Sequence, residues 1–140
     1  MDFINYIKTL SVARGHAFAY GNRMQINEKL NKINFSASAG GIVNFCYLIE
    51  DEGGGGIASA QLAIYFCKIE KFDFDTDTVS AENELLKDEA NKILEDIKDG
   101  NTARYEESVR FSFGYDDFSE NVLWCCMRVS LYSLSCNCKL

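Results

Sequence analysis

The segment from Ser80 to Gly100, SAENELLKDEANKILEDIKDG, sets Leu86, Ala90, Ile93 and Ile97 at i, i+4, i+7 and i+11. On a helix of about 3.6 residues per turn these side chains share one face. Leu85 and Leu94 widen the stripe. Ser80 is placed to cap the N-terminus, with Glu82 and Glu84 in the first turn, where carboxylates complement the helix dipole. Gly100 is placed to end the element. One apolar stripe with a polar opposite face predicts a helix over 80–98 that lies on a sheet.

The flanking segments supply that sheet. Upstream, Ile42-Val43-Asn44-Phe45-Cys46-Tyr47-Leu48-Ile49 is β-branched, aromatic and too short for a core helix, and Ser59 to Ile69 has the same character. Glu50-Asp51-Glu52 and then Gly53, Gly54, Gly55 and Gly56 separate the two, which predicts an antiparallel hairpin with a long glycine loop. Downstream, 104–115 and 120–134 read as two more strands joined across Asp116-Asp117-Phe118-Ser119. In the last of these, Leu123, Cys125, Met127, Val129 and Leu131 alternate onto one face and leave Val122, Trp124, Arg128, Ser130 and Tyr132 on the other. A set with Trp, Arg and Tyr suits a protein contact surface, and equally suits cross-strand packing within the monomer.

At the start of the chain, Asp2 can cap a helix with Phe3, Ile4, Ile7 and Leu10 on one side and Gly15 as its stop. A second short helical pattern covers 22–33, with Ile26, Leu30 and Ile33 aligned. The order helix, short helix, hairpin, helix, hairpin predicts an α+β domain. Its expected form is a four-stranded antiparallel sheet with the long amphipathic helix packed on one face, plus the N-terminal helix.

Composition sets the outer limits. The 140 residues include 14 Lys+Arg, 21 Asp+Glu, one His, six Cys and no Pro. Average usage would give about seven prolines, and their absence disfavours a stiff spacer between two domains. A chain of this size buries about 68–70% of its unfolded surface, so a single domain over 1–140 can build its core without disulfides or a structural metal. The longest apolar runs, Leu62 to Cys67 and Val122 to Met127, have six residues each, against the ~20 of a membrane-spanning helix. No membrane partner is expected. Met1-Asp2-Phe3-Ile4-Asn5 has no basic leader, which predicts a cytosolic mature compartment and reduced thiols.

Residues 70–99 hold eleven acids and four lysines, and so account for the whole net charge of −7. Within the neutral remainder, the first 49 residues carry five bases and two acids. The simple reading of the acidic run is a solvated helix face. Such lopsidedness also suits head-to-tail contact between copies of the chain. Binding of duplex DNA is not expected, because counterion release needs a dense basic face.

The residues offer little catalytic chemistry. The lone His16 has no Ser or Cys partner by spacing, so a surface or capping role is expected. Cys125-Cys126 and Cys136-Asn137-Cys138 lack the two-residue spacing that lets thiolates converge on zinc. The glycine run is preceded by three acids and followed by a strand, which argues against a phosphate-binding loop. Asp73, Asp75 and Asp77 alternate as Ca²⁺ ligands do, and Glu84 falls at the twelfth place of an EF-hand count. Thr78 occupies the place where that loop needs Gly, and no helix precedes it, so an acidic loop facing solvent or a partner is the expectation.

A resemblance adds to this reading. The features that carry it are Phe45-Cys46-Tyr47 in the first strand, Phe72-Asp73-Phe74-Asp75 after the second, the long acidic helix, and Asp117-Phe118-Ser119-Glu120-Asn121-Val122 leading into the terminal strand. In this order the chain resembles tail-terminator or tail-completion-like neck proteins of phages and prophages of Bacteroides-type bacteria, including crAss-like phages. The similarity covers nearly the whole chain. Where the family's last strand often continues with a Gly and a shorter apolar run, this chain has Leu123-Trp124-Cys125-Cys126.

The resemblance implies a virion structural protein and not an enzyme, with no cofactor and no resident metal. It implies a ring of six or twelve copies at the head–tail junction, bridging the portal-side connector to the tail and lining the channel through which genomic DNA leaves. An acidic lumen would repel DNA and let it slide. The contacts expected are the loop of Gly53, Gly54, Gly55 and Gly56, the loop of Asp73, Asp75 and Asp77, and the face of Trp124, Arg128 and Tyr132. The rival reading is a small cytosolic Ca²⁺- or ligand-binding module that uses Asp73 to Asp77.

Overall fold

The computed structural model describes residues 2–22, 24–25, 45–53, 59–69, 76–115 and 122–134. The first helix, α1 (Phe3–Ala13), opens as expected, with Asp2 Oδ1 accepting the Asn5 N–H at 3.0 Å. It closes in a Schellman turn. The His16 N–H donates to the Ser11 carbonyl at 3.1 Å and the Gly15 N–H to that of Val12 at 2.9 Å, with Gly15 at φ +76°. A side chain at position 15 would be strained in this left-handed conformation. Gly15→Ala is therefore expected to destabilise the fold by about 1–2 kcal/mol, read from urea unfolding. Beyond it, Asn22 and Gln25 exchange side-chain to N–H hydrogen bonds of 3.0 Å, a capping box, and residues 24 and 25 are helical. The rest of the short helix expected over 22–33 lies outside the described residues.

Among the described residues the sheet has six strands. β1 (Ala17–Tyr20) runs parallel to β2 (Phe45–Gly53), which pairs antiparallel with β3 (Ser59–Ile69). After the long helix α2 (Thr76–Asp99) come β4 (Ala103–Tyr105), β5 (Arg110–Tyr115) and β6 (Val122–Ser133). β6 pairs antiparallel with β3 on one side, and with both β5 and β4 on the other. The expected four antiparallel strands are thus present, extended by a parallel β1 and with one strand divided.

Three boundaries differ from expectation, each for a local reason. β2 does not stop at Ile49. Glu50 and Asp51 stay paired to Ala63 and Leu62, and a bulge between Asp51 and Gly53 brings Gly53 opposite Gln61. The strand expected over 104–115 breaks at 106–109. Tyr105 faces Leu131 and Arg110 faces Arg128, so two extra residues are absorbed there, with the Val109 N–H turned back onto the Glu107 carbonyl at 2.9 Å. α2 starts at Thr76, so Ser80 is an exposed residue within the helix and not its cap. Asp77 in the first turn favours this earlier start.

α1 and α2 lie on one side of the sheet. Leu86, Ala90, Ile93 and Ile97 of α2 join Phe3 and Ile7 of α1 against Leu62, Ile64 and Phe66 of β3 and Leu123, Cys125, Met127, Val129 and Leu131 of β6. The alternation in the last strand and the α2 stripe are both as expected. Leu94 is also buried, whereas Leu85 is 48% exposed and does not belong to the stripe.

Candidate functional site

The turn after α1 sets two side chains against α2. Arg14 Nε donates to Asp96 Oδ2 at 2.9 Å and Nη2 to Oδ1 at 3.3 Å, a two-pronged pair that remains partly exposed. Such a pair contributes at most about 1 kcal/mol. His16 is buried, which corrects the surface position expected for it. Its Nε2 lies 3.7 Å from Oε1 of Glu89, itself buried, while Glu89 Oε2 accepts from Lys92 Nζ at 3.1 Å. Spacing could not reveal this, since the helix on which Glu89 rides approaches His16 only through the tertiary fold.

Burial is the main reason that the His16 pKa falls below 6.5; Glu89 opposes the shift, and Arg14 and Lys92 add to it. The Tyr6 phenol is pushed up, first by burial and then by Asp96. The folded state therefore favours a neutral imidazole. Its stabilising effect is complete above the unfolded pKa of about 6.5 and is lost as pH falls from there through the lower folded value. The melting temperature is expected to drop between pH 7.5 and 5.5, and His16→Gln should flatten the part of that slope that His16 contributes. An unchanged slope in the variant would exclude His16 as its source.

On the side of the sheet away from the helices, Trp124 is only 9% exposed. Its ring meets Tyr65 edge to face at 5.4 Å between centroids and covers Gly114, its partner on β5. A Cβ built on Gly114 would come within 2.1 Å of the indole Cζ2. Of the two readings open for Trp124, cross-strand packing is the one the structure displays. Arg128 and Tyr132, on the same side, are exposed, and Arg128 Nη1 reaches Cys126 Sγ at 3.4 Å.

Gly53 closes β2, Asp77 lies in the first turn of α2, and Gly54, Gly55, Gly56, Asp73 and Asp75 fall outside the described residues. Residues 76–84, the fourth to twelfth places of the EF-hand count, are helical and so do not form the loop that such a site requires. Among the described residues there is no group of three or more potential metal ligands. Cys67, Cys125 and Cys126 are buried free thiols, and burial above all pushes Cys125 up to about 12, which makes it a poor nucleophile.

The acidic run expected as a solvated helix face takes a definite place in the structure, and the sheet carries an arginine array of which only Arg128 was expected. On the far side of the sheet, Arg110 and Arg128 are direct cross-strand partners, and Arg104 sits opposite Tyr132 on the same side. On α2, Glu84, Asp88, Glu95 and Asp99 are all exposed. At about 100° per residue they fall within a sector of roughly 60° centred on the solvent side of the helix. No family model matches the chain, and neither a curated protein nor a solved structure matches it.

Proposed function

We propose that this protein is a structural subunit of a phage particle, which assembles into a ring at the head–tail junction, joins portal-side proteins to the tail and borders the path of the genomic DNA. The observation that carries this reading is the separation of charge. An acidic row lies along the helix on one side of the sheet and an arginine row on the other, so the molecule has two unlike sides to offer to its neighbours. Contacts between unlike sides repeat from copy to copy, and close into a ring when the rotation per subunit permits. The resemblance in element order and in the residues around Phe45, Phe72 and Asp117 supports the same role.

Mass photometry and negative-stain microscopy test it. The expected result is a ring of six or twelve copies, and the protein should be recovered in purified particles. A strictly monomeric protein that is absent from particles overturns the reading.

A further inference from the structure

We infer that the arginine row of Arg104, Arg110 and Arg128 receives the acidic row of α2 from a second copy of this chain; the inference rests on the assembly reading above and names its contact. Like charges placed directly opposite on an antiparallel pair repel, so a carboxylate brought to Arg110, beside Arg128, gains from both. Neither Arg104 nor Arg110 is held by an ion pair or hydrogen bond within the described residues, and both are exposed. Arg110 and Arg128 share a polar groove of about 300 Å³ with Gln61, Glu106, Ser108 and Ser130, so that two arginines face one carboxylate there.

The dimensions and signs match. From the level of Arg104 to that of Arg110 the sheet advances four residues of β6, about 14 Å, while Glu84 to Asp99 spans about 22 Å of helix. Glu106 and Glu107 lie in the loop between Arg104 and Arg110. They interrupt the basic surface, which opposes a continuous polyanion such as DNA. Because α2 packs on the opposite side of the sheet, no subunit can satisfy its own arginines with its own acidic row. The contact is heterologous, and it commits the acids of α2 to the neighbour and not to the channel wall.

Two charge-reversed variants test the pairing: Arg104→Glu with Arg110→Glu, and Glu84→Lys with Asp88→Lys and Glu95→Lys. All the substituted side chains are exposed, and native circular dichroism verifies each fold. In sedimentation velocity at low salt, each variant alone should associate roughly a hundredfold more weakly than the unaltered protein. An equimolar mixture should recover assembly, since the reversed surfaces complement one another and an even-numbered ring can alternate the two. Variants that assemble as well as the unaltered protein, or a mixture that fails to recover, overturn this contact and leave the ring reading standing. An unaltered protein that remains monomeric at every concentration overturns both. Capture of a short DNA duplex by the unaltered protein, lost on Arg104→Glu/Arg110→Glu without any change in assembly, assigns the arginines to nucleic acid and overturns the inference.

Discussion

Replacing Trp124 with alanine is expected to lower the unfolding free energy by about 3–5 kcal/mol, the range for truncating a large buried aromatic. The ring fills the space between Tyr65 and the bare backbone of Gly114. Its removal leaves a cavity that is lined at Gly114 by bare backbone, with no side chain there to fill it. Gly114→Ala alone should cost about 1–3 kcal/mol through overpacking, because the added carbon lands on the rigid indole and not on a flexible tip. In the Trp124→Ala background that collision is gone, so the second substitution should become neutral or favourable. Additive losses in urea denaturation followed by far-ultraviolet circular dichroism would show that Gly114 and Trp124 do not touch. The experiment also separates two roles for Trp124. An interface residue would weaken assembly while leaving monomer stability unchanged.

Ile93→Ala is expected to destabilise the fold by about 2–5 kcal/mol, while Leu85→Ala on the same helix should stay within about 0.5 kcal/mol. Ile93 has no exposed surface and lies in the cluster that α2 forms with β3 and β6, whereas Leu85 is about half exposed. The pair isolates tertiary packing from helix propensity, since each substitution moves towards the better helix former. Equal losses at the two positions would mean that α2 does not dock by the face described. The midpoint of denaturation is the quantity to compare, with the denaturant slope expected to stay constant.

Much of the architecture could be read before the structure, and the failures follow a physical pattern. α1, α2 and the faces of β6 announce themselves by periodicity, because each buries one side along many residues of one segment. β1 does not. It is four residues long, follows directly on a helix stop, and gains its pairing from β2, 29 positions away, as with Ala17 opposite Cys46. The interruption at 106–109 was equally hidden, since the extra residues answer to the register of β6 and not to any breaker in their own segment. His16 was misjudged for the same reason: nothing near it in the chain shows that Glu89 and the end of α1 meet. Of the contact residues expected, Arg128 and Tyr132 are exposed, while Trp124 is buried by the strand that carries Gly114. Arg104 and Arg110 escaped notice because Arg110 comes opposite Arg128 only through the register of β5 on β6, and Arg104 comes opposite Tyr132 only once the two extra residues at 106–109 are known.

The indole lying against bare backbone on β5 constrains how this sequence can change over generations. Position 114 tolerates no enlargement while a tryptophan stands across from it, and a smaller residue at 124 is disfavoured until 114 has gained a side chain. Each change is harmful as a first step and tolerable as a second. Related chains should therefore divide into lineages that keep glycine with tryptophan and lineages that have exchanged both, with few representatives caught between them.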